Sequence, residues 1–181
     1  SKKNLFNMAR VYASAPCRIS LFGGMSDLPV FFEKHGGQVI SMAINIRQEF
    51  LLDSDNNFLD IPKNASPDFY RAFKKEFGFK GGIKQIFNGG IHAGIGSSSA
   101  AGVALVGGLA KVKGLKLTES EIIKKVWGIE NNVLNMYGGY QDIIASLYGS
   151  MNTIVLTPDS FAAKQFERGT ANFWQDHILL F

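Results

Sequence analysis

Residues 94–101 read Gly-Ile-Gly-Ser-Ser-Ser-Ala-Ala and lead directly into an apolar stretch that runs to Lys113. Within it Leu105, Leu109 and Val112 recur at helical spacing, and Gly102, Gly107 and Gly108 carry no side chain. The spacing therefore predicts a buried helix over 97–113, packed close to its neighbours. The segment in front of it has the composition of an anion cradle. Glycines let the backbone come near phosphate oxygens, and amides at a helix N-terminus point at the anion with the helix dipole behind them. Serine hydroxyls add donors, and one of them can ligate magnesium, a hard cation that prefers oxygen. Two better-known phosphate loops do not fit. No Lys follows Gly96, as a Gly-Lys-Ser/Thr loop requires, and Ser99 stands where a dinucleotide fingerprint has its third glycine. The plain alternative is a Gly/Ser turn that caps a buried helix.

Glycine is gathered elsewhere too: Gly23-Gly24, Gly36-Gly37, the stretch from Gly81 to Gly96, and Gly138-Gly139. Between these points the pattern is mixed. Residues 10–22 read as a strand bent at Pro16, and 27–34 as a short helix with Asp27 as cap and Pro29 in its first turn. Two strands, 39–43 and 47–53, precede a helix from Pro67 to about Phe77 capped by Ser66, and 83–87 is a further strand. Thr118-Glu119-Ser120-Glu121 is a capping box. Ile122, Val126, Ile129, Val133 and Met136 follow as one apolar stripe, ending at Gly138-Gly139. A short helix near 141–147 and strands at 152–156 and 178–181 complete an α+β pattern with no βαβα alternation. There is no internal repeat.

Bulk properties remove several classes. Apolar residues are 46% of the 181, enough for a core, and the 19% charged fraction argues against disorder. Apolar runs are short and interrupted, so no membrane span is expected, and Ser1-Lys2-Lys3-Asn4 lacks the apolar run of a signal peptide. The missing initial Met and the closing run Ile178-Leu179-Leu180-Phe181 lead us to expect that the native polypeptide extends further. The net charge of +4 comes from scattered Lys and Arg, with no basic cluster of the nucleic-acid kind. The single cysteine, Cys17, is assigned to packing and fits a reducing compartment. A zinc site is not expected around His35 or His92.

Three segments, in order, resemble the GHMP kinases. They are residues 15–29 (Ala-Pro-Cys-Arg-Ile-Ser-Leu-Phe-Gly-Gly-Met-Ser-Asp-Leu-Pro), the loop 94–101, and 138–149 (Gly-Gly-Tyr-Gln-Asp-Ile-Ile-Ala-Ser-Leu-Tyr-Gly). Among the subfamilies, the Arg-Ile-Ser-x-x-Gly-Gly-x-x-Asp-Leu-Pro start and the Gly-Gly-x-Gln-Asp stretch are most similar to D-glycero-D-manno-heptose 7-phosphate kinases. The chain departs from the family in having Gly89-Gly90-Ile91-His92-Ala93 where prolines usually precede the loop, and in a short 53–66 segment. The resemblance implies that residues 1–181 are a GHMP N-terminal, ATP-binding domain. Its fold would be of the ribosomal-protein-like βαβ type, a mixed sheet with helices on one face, cut off before a C-terminal ferredoxin-like domain.

It implies ATP and magnesium as cofactors, and γ-phosphoryl transfer to a hydroxyl of a sugar or sugar phosphate, best a heptose 7-phosphate, giving a sugar 1-phosphate. Asp142 would be the catalytic base, with Arg18 beside it. Gly94, Ile95, Gly96, Ser97, Ser98, Ser99 and Ala100 would hold the nucleotide, and Glu130 with Ser98 the magnesium. Asp27, Ser26, Gly24 and Gly139 would shape the sugar side, with Asp27 accepting hydrogen bonds from substrate hydroxyls. Against these stand ordinary structural roles: a surface glutamate for Glu130, an ion pair for Arg18, and helix caps for Asp27 and Asp142. The expected partner is the small-molecule substrate, with no nucleic acid and no membrane, in the cytoplasm; a homodimer is the self-association to be tested. The isolated piece is expected to turn over poorly. Two alternatives stay open: another GHMP acceptor of galactose, fucose, mevalonate or homoserine type, and a non-catalytic RNA-binding module of similar fold.

Overall fold

The computed structural model describes residues 10–88, 94–167 and 169; the predicted strand at 178–181 and His92 lie outside them. The strands are β1 (Arg10–Phe22), β2 (Gly37–Asp53), β3 (Leu59–Asp60), β4 (Gly82–Asn88), β5 (Met151–Leu156) and β6 (Phe161–Gln165). The helices are α1 (Pro29–His35), α2 (Pro67–Glu76), α3 (Ser97–Val112), α4 (Glu119–Gly128) and α5 (Gln141–Tyr148). A π-helical turn, Ile129–Val133, continues α4.

The 17-residue β2 organises the sheet. One of its edges pairs antiparallel with β1 over nearly its whole length. Its other edge takes β5 against Gly37–Met42 and β4 against Gln48–Asp53. β3 joins β4 in parallel and β6 joins β5 antiparallel, so the sheet is mixed. The two strands predicted at 39–43 and 47–53 are thus one. The break between them is an irregularity: Pro16 pairs with Arg47 and Arg18 with Ala43, so the single residue Cys17 stands opposite residues 44–46.

That irregularity reverses the alternation of side chains. Val11, Ala13 and Ala15 join the main core, whereas Ile19 and Leu21 pack on the opposite face against Met42 and Met151. A regular strand would keep odd residues on one face throughout. Past the bulge Arg18, an even residue, is the one that turns toward α5. On β2 the same switch brings Val39, Phe50 and Leu52 into one core.

The helices build the other wall of that core. α3 is buried along most of its length, with Leu105, Val106 and Leu109 almost free of solvent contact. It packs on β1 and β2, with α5 beside it and α2 and α4 behind. α4 begins at the predicted capping box: Thr118 accepts from the Glu121 amide, and the Glu121 carboxylate accepts from the Thr118 amide. The predicted stripe beyond Ile129 is corrected. The π-helical turn widens the coil and rotates the next residues off the core face, leaving Val133 and Met136 exposed. Asp27 does not cap α1 either, because Leu28 holds the cap position. Ser66 is at the cap of α2, without a side-chain bond to it among the described residues. β3 and β6 are short elements that the sequence pattern did not announce.

Two glycines of α3 separate packing from propensity. A Cβ on Gly108 would lie 2.3 Å from Leu52 Cδ1 and 2.8 Å from Ala13 Cβ, both in the core, whereas one on Gly107 would meet nothing within 4 Å. Gly108→Ala is therefore expected to destabilise the chain by about 1–3 kcal/mol. Gly107→Ala should stabilise it by roughly 0.5–1 kcal/mol. Urea unfolding midpoints of the two variants test this, and equal shifts would contradict the packing described.

Candidate active site

The bulge in β1 sends Arg18 toward α5, where it meets Asp142. The Arg18 Nε and Nη2 atoms each lie 2.6 Å from Asp142 Oδ1. Its Nη1 donates to the Gly94 carbonyl at 2.8 Å, and its backbone amide donates to the Ile95 carbonyl at 2.8 Å. Arg18 thereby ties the glycine loop, the sheet and α5 to one another. Gly96 sits on top of the pair. Its φ of +68° is left-handed, and a Cβ there would fall 3.2 Å from both Asp142 Oδ2 and Arg18 Cγ. Glycine thus meets a backbone demand and a space demand at the N-cap of α3. Burial pushes the Asp142 carboxyl above its ordinary range; Arg18 pulls it down and the charge of Asp27 pushes it further up. The net direction is upward, toward the range useful to a general base.

Glu130 occupies the π-helical turn and is 3% exposed. Its Oε2 accepts from the Ser99 hydroxyl at 3.1 Å, while Oε1 finds no hydrogen-bond partner among the described residues. Burial raises this carboxyl to about 8, with the Ser99 bond opposing and Asp142 adding to the rise. The hydroxyl that donates to Glu130 is that of Ser99. Ser97 and Ser98 instead line a cleft of about 550 Å³ in front of α3, together with Arg18, Gly94, Gly96 and Asp142. The same cleft reaches Asn64, Ser66, Phe69, Tyr70, Gln48 and Gln85. There the Tyr70 hydroxyl donates to Gln85 and the Gln85 amide donates to Gln48, at 2.9 and 2.7 Å. These cleft-lining glutamines escaped the sequence reading, since a polar residue within a strand carries no local mark of what it faces.

The other loop residues divide by role. Ile95 and Ala100 pack their side chains on Cys17, so only their backbone is offered to a ligand. Cys17 is fully buried and burial pushes its thiol up, in keeping with packing. α3 begins without an acidic residue in its first turn, so its positive end is not neutralised from within the helix.

The expected sugar-side residues are also gathered beside Asp142. Asp27 is 2% exposed, and its oxygens accept from the Gln141 amide at 3.0 Å and from Gln141 Nε2 at 3.3 Å. Gly139 lies against that carboxylate. The Ser26 hydroxyl donates to the Gly23 and Gln38 carbonyls and so closes the turn before Asp27. Gly24 is exposed, close to Ser20 and to the side-chain amide of Gln141.

Among the described residues no group of three or more His, Cys, Asp or Glu side chains gathers as a metal site. The donor set at Glu130 nevertheless fits magnesium: a buried carboxylate oxygen without a partner among the described residues, next to the Ser99 hydroxyl at the end of a phosphate-type loop. No described helix is long and apolar enough to cross a membrane.

Residues 65–150 match the family model of the GHMP kinases N terminal domain. A curated relative, the D-glycero-alpha-D-manno-heptose 7-phosphate kinase of Campylobacter jejuni, is 27% identical over 172 residues, 80% of this chain and 50% of the relative. The chain thus spans about half the length of that enzyme. Among solved structures, a D-glycero-D-manno-heptose 1-phosphate kinase from Bacteriodes thetaiotaomicron superposes with a TM-score of 0.75 at 19% identity, covering 86% of this chain and 60% of the other. The galactokinase of Lactococcus lactis, solved with galactose, gives 0.66 at 16% identity, covering 87% and 47%. The structural likenesses carry the fold.

Glu130 gives the site a signature in stability. Between the ordinary carboxyl value of 4.5 and its folded value of about 8, the folded chain keeps a proton that the unfolded chain has lost. Stability should therefore fall as pH rises through this window, by on the order of 5 kcal/mol. Glu130→Gln, neutral at every pH and able to accept from Ser99, is expected to lose that decline and to exceed the parent in stability at pH 8. Denaturation at pH 5 and pH 8 measures it; parallel curves for the two proteins would refute the assignment.

Proposed function

We propose, from the match of residues 65–150 to the GHMP kinases N terminal domain and from the geometry of the site, that this chain is the nucleotide-binding part of a two-domain kinase. The enzyme transfers the γ-phosphoryl group of ATP to a hydroxyl of a sugar phosphate. The observation that carries the reading is the Arg18–Asp142 pair placed against Gly96, at the N-terminus of α3. A carboxylate beside a helix N-terminus opposes anion binding there, which Arg18 offsets in part, and work on the ligand accounts for keeping it in place. As the base, Asp142 takes the proton of the attacking hydroxyl, and Arg18 keeps its carboxylate oriented toward the loop. The amides of the first turn of α3 and the hydroxyls of Ser97 and Ser98 hold the phosphates. A bound magnesium ion would supply charge neutralisation at the phosphate oxygens, and Glu130 with Ser98 or Ser99 would hold it.

The acceptor we favour is the anomeric hydroxyl of a heptose 7-phosphate. It is supported by the curated heptose 7-phosphate kinase relative and by the Arg-Ile-Ser and Gly-Gly-x-Gln-Asp segments of the sequence. A sugar phosphate brings its own negative charge, and the chain is basic at +4.

Two measurements on the full-length protein test this. Asp142→Asn should lower kcat by about 1,000-fold and leave the affinity for a non-hydrolysable ATP analogue within about threefold. Because the Asp142 carboxyl is raised, the acid limb of the kcat profile should lie above the ordinary aspartate value. The analogue should bind more tightly with magnesium, and Glu130→Gln and Ser98→Ala or Ser99→Ala should each erode that gain. Magnesium-independent binding in all of them would reject the ligand assignment. A screen of sugar phosphates against unphosphorylated sugars and mevalonate-type alcohols identifies the acceptor.

A further inference from the structure

Asp27 is buried where a substrate ligand would be expected to face the cleft, and its carboxylate is spent on the protein. α5 starts at Gln141 with Tyr140 in the cap position, in a helical conformation and with no side-chain cap bond of its own. The acceptor for its first amide comes instead from 114 residues away, as Asp27 Oδ2 at 3.0 Å. The Gln141 side chain clasps the other oxygen. A negative group at a helix N-terminus is favourable on both hydrogen-bond and dipole grounds. The hook has room because residue 139 is glycine: a Cβ there would lie 2.0 Å from Asp27 Oδ2 and 2.5 Å from its Cγ. Asp27 is itself anchored, since Ser26 bonds the Gly23 and Gln38 carbonyls. Trp127 stacks on Tyr140 at 5.3 Å and donates to the Gly138 carbonyl, which holds the approach to α5 from the other side.

We propose that Asp27 is a positioning residue for Asp142. It fixes the first turn of α5, the turn that carries the base, and Gly139 is the clearance that lets it do so. The inference rests on the reading of Asp142 as the base. Arg18 from β1 holds the side chain of Asp142, and Asp27 holds the Gln141 amide one residue before it. Among the described residues Glu130 is a further carboxyl that feels the charge of Asp142. A base displaced by a fraction of an ångström to an ångström loses rate without losing substrate, so the cost falls on kcat.

The test uses the full-length protein and three substitutions. Asp27→Ala removes the hook. Gly139→Ala evicts the carboxylate and leaves every ionisable group in place. Asp27→Asn keeps an acceptor for the Gln141 amide, and the orphan Gln141 Oε1 can receive the new amide after a flip. We expect Asp27→Ala and Gly139→Ala each to lower kcat by on the order of 100-fold, with KM for the sugar and ATP-analogue affinity within about threefold. Asp27→Asn should recover most of the rate, and the double Ala variant should be no worse than either single one. Hydrogen exchange at the Gln141 amide should accelerate in both Ala variants and stay slow in the Asn variant. A rise in KM with kcat unchanged would make Asp27 a substrate ligand and overturn the proposal, as would additive losses in the double variant or unchanged Gln141 protection. If Asp27→Ala does not fold, Gly139→Ala and Asp27→Asn carry the same comparisons. A parent protein that phosphorylates no sugar would sink the kinase reading, and the amide exchange would then decide the hook alone.

Discussion

The ion pair between Arg18 and Asp142 is the contact on which the site depends. It joins a strand and a helix 124 residues apart in sequence, and the guanidinium has donors left for the Gly94 carbonyl. Both side chains are largely shielded from water. Removing one partner from such a pair leaves the other charge stranded, at a cost of about 3–5 kcal/mol. The pair exists because β1 is irregular at Cys17: one residue facing three on β2 turns the strand over, and Arg18 emerges on the helix side. Bulges near functional sites commonly re-aim a side chain in this way.

The walls around this pair carry a second acid. The charge of Asp142 adds only modestly to the rise at Glu130; withdrawal from water is the largest cause for both carboxyls. The fold holds two such acids close to the positive end of a buried helix. Uncharged side chains would be easier to bury there, so the arrangement costs stability and suits a place where a cation, a phosphate chain and a proton have to be managed together. The π-helical turn belongs to the same arrangement. It ends the regular course of α4 and sets Glu130 against Ser99.

Much of this was legible from the chain alone, for local reasons. The Thr118–Glu121 box starts α4 because its two hydrogen bonds close within four residues. The loop before α3 is readable because glycine, serine and an apolar run each have a direct meaning for backbone approach, donors and burial. Asp142, Glu130 and Arg18 were singled out by the family resemblance of their segments, and the three are close in space. Other features have no local mark. Two strands separated by Ile44, Asn45 and Ile46 look separate until β1 is known to bridge the gap. The apolar stripe through Val133 and Met136 follows helical spacing faithfully, and the π-helical turn takes it off register. Asp27, Leu28 and Pro29 look like the start of a helix, and only the arrival of Gln141 shows where the carboxylate goes.

Composition and order along the chain settled that there is a core and that a buried helix begins at a loop shaped for an anion. Those are statements about single residues and their near neighbours, where propensity and solvation suffice. Three-dimensional packing decided which partners the acids found: Arg18 for Asp142, Ser99 for Glu130, Gln141 for Asp27. Each of these bonds spans between 31 and 124 residues. Such contacts depend on strand register and helix phase, and a single extra residue reverses the first and turns the second by about 100°. A periodic pattern in a sequence cannot display a change of phase that is imposed by the element packed against it.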